Sequence, residues 1–391
     1  MSVSGQVSEL VRVCFCMNKD SDLTHIENYI RTALPWAHGH QIKGLTKYVA
    51  AILRKQTGCQ AQLARTQGNQ EAACRQLGRL LHNPRLAPKR LIESLARQTL
   101  RQVPRTGTVR VAVDWTTEGD QHLLTVSLII GRRAVPFFWR AYRQDVLKGR
   151  MHRYERAVIR RALQLLFQYV SRNRVILTAD RGFADEPLFA QLQQMRVRFV
   201  IRVKGCTKVC YRGQWQKLNR IGFAGNTRQQ TLGELLFCAK SPRRLYVHQS
   251  RARDQYDAWQ TWALVSNFAQ TAAHAAREYE RRFGCEEGFR DTKWYLGFKE
   301  CRIADLDAWS RLFALFVLAL LILITLGTFW LVPGEAFAHR LLRRVCSRRS
   351  SRCELSLVSA MLALLQEDDS LLAGLLPFQK FNLDLQLTNV S

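Results

Sequence analysis

The sequence predicts a mixed α/β protein: a helical N-terminal region followed by a sheet-forming core. Three observations carry that reading. Up to about residue 105, apolar residues recur at three- and four-residue spacing. Beyond residue 107 they alternate or run continuously over strand lengths. Amphipathic helical stretches then take turns with buried strands, and three strands, a helix, a strand, a helix and a strand make a mixed sheet.

Residues 1–106 read as helical. IENYIRTAL, LTKYVAAILRKQ and AACRQLGRLLHN carry the helical period and are separated by Gly- or Pro-containing breaks. Arg75, Arg79, Arg85, Lys89, Arg90, Arg97 and Arg101 make the later half basic. Short basic helices joined by tight turns suit a helix-turn-helix-like DNA-binding module, although an ordinary bundle with solvated charges has the same spacing. Pro104-Arg105-Thr106-Gly107 reads as a linker. Residues 107–204 read as the first part of a core. TVRVAVDWT alternates between two faces, HLLTVSLII is strongly apolar, RRAVPFFWRAY is a third strand, and Gly131 marks the turn between the last two. RYERAVIRRALQLLFQYVSR is an amphipathic helix, and RVILTADRGF is a buried strand ending in Asp180. EPLFAQLQQM is a helix with Pro in its first turn, and RFVIRVKG is a further strand. Residues 205–260 break the rhythm with KVCYRGQWQKL and RRLYVHQS and read as a β-rich insertion outside the main sheet. Residues 261–340 return to the core with the strand TWALVSN, a helix from near Gln270 and an apolar helix. The tail, 341–391, is basic in RRVCSRRSSR and amphipathic in LSLVSAMLALLQ.

Composition narrows the function. Lys and Arg number 59 against 31 Asp and Glu, a net charge of +28, which favours a polyanionic partner, DNA or RNA before an acidic membrane. An apolar content of 47% excludes a disordered polymer. The 11 cysteines have no paired spacing: Cys14 and Cys16 are too close, Cys206 and Cys210 lack a second pair, and Cys346 and Cys353 lie in a basic segment. Reduced thiols are expected, with neither a disulfide framework nor a structural zinc. The N-terminus lacks a basic start followed by a sustained apolar run, so no signal peptide is expected. Residues 312–332 are 21 consecutive residues without a charge, long enough for a membrane span. No second span exists and the charged helix just upstream has to join a folded site, so a buried helix is expected.

Three carboxylates stand out. Asp114 ends the first strand of the core, and Asp180 ends the fourth. Glu286 lies in a segment where Tyr279, Arg282, Glu286 and Lys293 stand 3, 4 and 7 residues apart. On an ideal α-helix those four positions fall within about 60° of one another, one carboxylate between two cations and a phenol. A lone Asp at a strand end is ordinarily a cap or turn residue. Asp120, Asp185, Glu118, Glu287 and Asp291 are read that way. Three carboxylates at one locus repel one another unless cations lie between them, which calls for two Mg²⁺ or Mn²⁺ ions held by oxygen ligands. Two such ions suit an in-line displacement at phosphorus.

The order Asp114, Asp180, Glu286, with Tyr-x2-Arg-x3-Glu-x6-Lys around the Glu, resembles the DDE transposases of bacterial insertion sequences, most closely the subgroup defined by that signature. Asp114-Trp115-Thr116 and Asp180-Arg181-Gly182-Phe183 also resemble this subgroup, and the likeness covers roughly residues 75–330. The resemblance implies an RNase H-like catalytic core with a β-rich insertion before the Glu-bearing helix. It implies metal-dependent cleavage of double-stranded DNA at terminal inverted repeats and strand transfer into target DNA. A homodimer assembled on DNA would do this in the cytoplasm, nucleoid-associated and without a membrane. Asp114, Asp180 and Glu286 would bind the metals, while Arg282, Lys293 and Arg181 contact phosphates and Tyr279 hydrogen-bonds to one. Trp262 resembles the position that stacks a flipped base; an ordinary core Trp is the competing reading. A catalytically inactive DNA-binding copy and a structure-specific nuclease are the alternative functions.

Overall fold

The computed structural model describes residues 21–65, 69–253, 259–332, 335–345 and 355–385. The N-terminal residues 1–20, with Cys14 and Cys16, and the basic tail segment around Cys346 and Cys353 lie outside the described residues. The chain packs as two compact units, residues 105–287 and residues 1–104 with 288–391.

The first unit is built on a sheet. Its strands are β1 (Val109–Glu118), β2 (Gln121–Ile130), β3 (Arg133–Arg143), β4 (Val175–Ala179) and β5 (Arg198–Val203). They are followed by β6 (Lys208–Tyr211), β7 (Gln214–Lys217), β8 (Gln229–Phe237), β9 (Arg243–Arg253) and β10 (Trp259–Ser266). Among the described residues these form one sheet in the order β3-β2-β1-β4-β5-β10-β9-β8-β6-β7. β1, β2 and β3 are antiparallel neighbours, and β1, β4 and β5 run parallel. Pro136 is tolerated because β3 is an edge strand, and the β2–β3 register shifts beside it. The helices Met151–Leu166 and Glu186–Gln194 link β3 to β4 and β4 to β5.

The expected insertion does not stand outside the main sheet. β10 pairs with β5 on one side and β9 on the other, and β8, β6 and β7 continue outward. The physical reason is the edge: without β9, one side of β10 would present a row of unpaired backbone groups. After β10 the helix Ala272–Glu280 starts at Thr271, whose hydroxyl accepts the His274 N–H. Its Ala275, Ala276 and Tyr279 pack on Ile176, Val200, Trp262 and Leu264 of the sheet.

The second unit is helical. Its helices are Ser21–Ala33, Gly39–Lys55, Gln60–Arg65, Gln70–Leu81 and Pro88–Arg101, then Leu306–Trp330, Ala336–Val345 and Leu357–Glu367. Leu306–Trp330 is long and apolar enough to cross a membrane, and it is buried throughout from Ala308 to Trp330. A helix apolar on every side needs apolar neighbours on every side. The faces of Gly39–Lys55, Gln70–Leu81, Pro88–Arg101 and Leu357–Glu367 supply them. This helix, expected in the second part of the sheet-bearing core, thus packs among the N-terminal helices. Its one cation is satisfied: Arg311 donates to the carbonyls of Leu81 and Leu86, both at 2.8 Å. Gly327 permits close helix packing, since a Cβ there would lie 2.6 Å from Leu357 Cδ1.

Candidate active site

Val113 of β1 stands opposite Ala179 of β4 in the parallel pair. The next residues, Asp114 and Asp180, therefore emerge side by side from strands about 4.8 Å apart. Asp180 Oδ1 accepts the Gly182 N–H at 2.8 Å and caps the turn Arg181–Phe183, the ordinary role of a strand-end Asp. Asp114 Oδ1 accepts the Trp115 N–H at 2.9 Å, and its Oδ2 receives Arg282 Nη1 at 3.1 Å. The other arm of the same guanidinium, Nη2, reaches Glu286 Oε1 at 2.9 Å. One buried Arg thus bridges a strand carboxylate and a helix carboxylate, while Glu286 itself is 56% exposed.

The segment carrying Glu286 is not one regular helix. Ala272–Glu280 is α-helical, Arg281–Phe283 is a 3₁₀ turn, Gly284–Arg290 is α-helical and Asp291–Tyr295 is a π turn. A 3₁₀ turn advances about 120° per residue and a π turn less than an α-helix. The uniform step expected from Tyr279 to Lys293 is therefore interrupted twice. Arg282 and Glu286 keep their contact across four residues, and Lys293 lies in the π turn, within the helical unit. At Gly284 a Cβ would meet the Arg132 carbonyl at 3.1 Å, a tight approach that glycine relieves. Arg133 Nη1 then holds Glu287 Oε2 at 2.5 Å.

Burial pushes the Asp114 carboxyl up to about 6; the Arg282 guanidinium opposes the rise, and the Asp180 and Glu286 carboxylates add to it. Burial works against the charge of Arg282, but the Tyr279 phenol and the carboxylates of Asp114 and Glu286 outweigh it and raise its pKa. Burial also drives the Cys285 thiol well up, so it stays protonated beside the carboxylates. The donor set is hard oxygen, as Mg²⁺ or Mn²⁺ prefers. Arg282 is a cation already standing between two of the three carboxylates, which shows that the pocket accepts positive charge. Among the described residues no three His, Cys, Asp or Glu side chains converge as a formed metal cage. That agrees with Arg282 holding Asp114 and Glu286 one guanidinium apart.

The other expected site residues are placed as follows. Arg181 is exposed on its turn. Tyr279 is fully buried, edge-on to Trp262 with ring centroids 5.1 Å apart. Trp262 is 3% exposed, covered by Tyr279, Phe283 and the Arg202 guanidinium, as a core Trp of the sheet is. Sequence reasoning missed its neighbour. Trp259 is 51% exposed, with the Arg228 and Arg253 guanidinium carbons 5.1 and 5.0 Å from its ring. A cleft of about 390 Å³ lined by Arg228, Arg251, Trp259, Gln260 and Thr261 lies beside it. The signal was present: two Trp three residues apart on a strand face opposite sides, so one must point away from the core. Also missed was the buried Glu155, which accepts the Trp115 indole N–H at 2.7 Å and meets His152 Nδ1 at 2.7 Å.

Residues 148–322 match the family model described as Transposase DDE domain. The match includes Asp180, Glu286 and the whole Tyr279–Lys293 signature, and begins after Asp114. It supports a DDE transposase family, and with it transposition and DNA recombination. No curated protein matches the chain.

Proposed function

We propose that the chain is a transposase that cleaves DNA at the ends of its own element and joins the freed ends to target DNA. The observation that carries this reading is Arg282 bridging Asp114 and Glu286, with Asp180 ending the strand next to that of Asp114, on elements that belong to or adjoin the matched domain. An RNase H-like core is supported by the antiparallel β1–β3, the parallel β4 and β5, and the position of the two Asp residues at the ends of β1 and β4.

In this reading Asp114, Asp180 and Glu286 hold two Mg²⁺ or Mn²⁺ ions. When bound, these would supply charge neutralisation at phosphorus and activation of the attacking water or 3′-hydroxyl. The chain's own residues do the positioning. Arg282 holds the Asp114 and Glu286 carboxylates with its two terminal nitrogens and so keeps a positive charge at the place where a phosphate would approach. By the family resemblance Lys293 is a phosphate-binding cation, as is the exposed Arg181, and Tyr279 packs behind Arg282 to hold its plane. Base stacking beside the cut fits Trp259, flanked by guanidiniums, better than the buried Trp262. The basic N-terminal helices bind the terminal repeats of the double-stranded DNA, and two copies pair the two ends.

Purified protein should nick a duplex bearing the element's terminal repeat only with Mg²⁺ or Mn²⁺. Asp114→Asn, Asp180→Asn and Glu286→Gln should each abolish cleavage while leaving end binding intact. Full cleavage by all three variants would sink the assignment. Cutting that ignores the terminal repeats would point to a structure-specific nuclease, and no cutting with intact end binding to an inactive copy.

A further inference from the structure

Two charged rungs join the Glu286-bearing segment to the strand that carries Asp114. Arg110 and Asp114 share one face of β1 by its two-residue period. On the helical side Glu278, Arg282 and Glu286 follow at four-residue intervals. Arg110 grips Glu278 with a fork, Nε to Oε2 at 2.7 Å and Nη2 to Oε1 at 2.9 Å. Four residues further along both segments, Asp114 receives Arg282 at 3.1 Å. The rungs have opposite polarity, a cation on the strand in the first and an acid on the strand in the second.

That reversal specifies register. If the helix slid by four residues one way, Arg110 would face Arg282 and Asp114 would face Glu286. If it slid the other way, Asp114 would face Glu278 and Arg110 would face His274. Both slips set like charges together; the observed register pairs all of them. Ala275, Ala276 and Tyr279 also pack the helix on the sheet, but hydrophobic attraction has no direction, and the charged rungs add an explicit penalty against a slip. The first rung is well shielded, with Glu278 3% and Arg110 16% exposed. Burial works against the Glu278 charge, but Arg110, seconded by Arg281 and His274, holds its carboxyl below the usual range. Such a pair adds little stability over apolar residues of the same shape, and fixing register is its best-attested use.

We infer that Arg110 and Glu278 are positioning residues: they set the register of the helix on β1 and so place Glu286 beside Asp114. The inference rests on reading Asp114, Asp180 and Glu286 as metal-binding carboxylates. Its test is Mn²⁺ binding by the full chain, followed by the Mn²⁺-dependent rise in Tm and by the free-ion EPR signal. Arg110→Met/Glu278→Met replaces both charges with apolar side chains. The expected result is a metal-free Tm close to the parent's with Mn²⁺ affinity lowered about tenfold, as for other outer-shell partners. Parental Mn²⁺ affinity in this double variant would overturn the inference, leaving the pair a packing feature only. Should the double variant not fold, Arg110→Lys decides, since it keeps the charge and loses the fork. Weakened Mn²⁺ binding at near-parental Tm supports the positioning role, and parental binding overturns it. Absence of any Mn²⁺ response in the unaltered protein would remove the metal reading itself, and this inference with it.

Discussion

Asp114 shows how much burial can decide. Its carboxyl stands near 6 against an ordinary value of 3.8, because burial outweighs the Arg282 charge beside it. The raised pKa fixes the sign of its effect on stability. Between about 3.8 and 6 the unfolded chain ionises this group and the folded chain does not, so its stabilising contribution is complete below that window and lost as pH rises through it. Asp114→Asn, which mimics the protonated acid, should therefore raise the metal-free Tm at pH 7 to 8. The gain should be worth about 1–3 kcal/mol and should vanish towards pH 4, as thermal melts across pH would show. The two Trp residues make a second contrast. Trp262→Ala should cost roughly 3–5 kcal/mol of stability because it empties the space under Tyr279 and Phe283. Trp259→Ala should leave Tm nearly unchanged and weaken binding of DNA with unpaired ends. The sequence marked Asp114, Asp180 and Glu286 through strand ends and signature spacing. It could not say which Trp faces inward, because alternation orders two faces without naming the buried one.

Elements were legible where the apolar period was strong, and less so where backbone pairing or irregular turns decided the outcome. The runs that became β1 to β5 and the helices between them stand where their periodicity put them. The insertion did not, because strand pairing is settled by a partner's free edge, which local pattern does not contain. His248 of β9 lies at that join, its ring nitrogens meeting Ser266 of β10 at 3.2 Å and Thr231 of β8 at 3.3 Å. Burial depresses its pKa to about 4. Its neutral form stabilises the fold above about 6.5, and that contribution is lost as pH falls from there towards 4. His248→Gln should flatten this acid limb, removing about 2 to 3 kcal/mol of pH dependence in denaturant titrations at pH 7 and pH 4.5. If the variant and the parent lose stability in parallel, His248 is not the group responsible. The 3₁₀ and π turns around Glu286 were equally illegible. Uniform helical geometry was the only assumption that residue spacing allowed, and packing altered it.

For the whole molecule, charge and fold answer different questions. A net charge of +28 favours a polyanionic partner, which the proposed function makes DNA. DNA binding should accordingly fall steeply with salt, with a log–log slope of about −0.9 per phosphate neutralised. Between 50 and 200 mM salt the loss should be roughly a thousandfold if about six phosphates are contacted, measured by fluorescence anisotropy on a terminal-repeat duplex. A flat salt profile would count against a backbone-dominated interface. Leu306–Trp330 shows the limit of composition. Its hydropathy fits a membrane span and a buried helix equally, and the surrounding amphipathic faces supply the choice. By itself, then, the sequence determined the excess of positive charge, the identity and order of the three carboxylates, and the main strands and helices. These depend on residue chemistry and on local periodicity. Only the tertiary structure decided that the insertion strands extend the main sheet, that Arg282 bridges Asp114 and Glu286, and that the apolar helix packs among the N-terminal ones. Each of those is a contact between distant segments, and its energy comes from desolvation and pairing that exist only once both partners are in place.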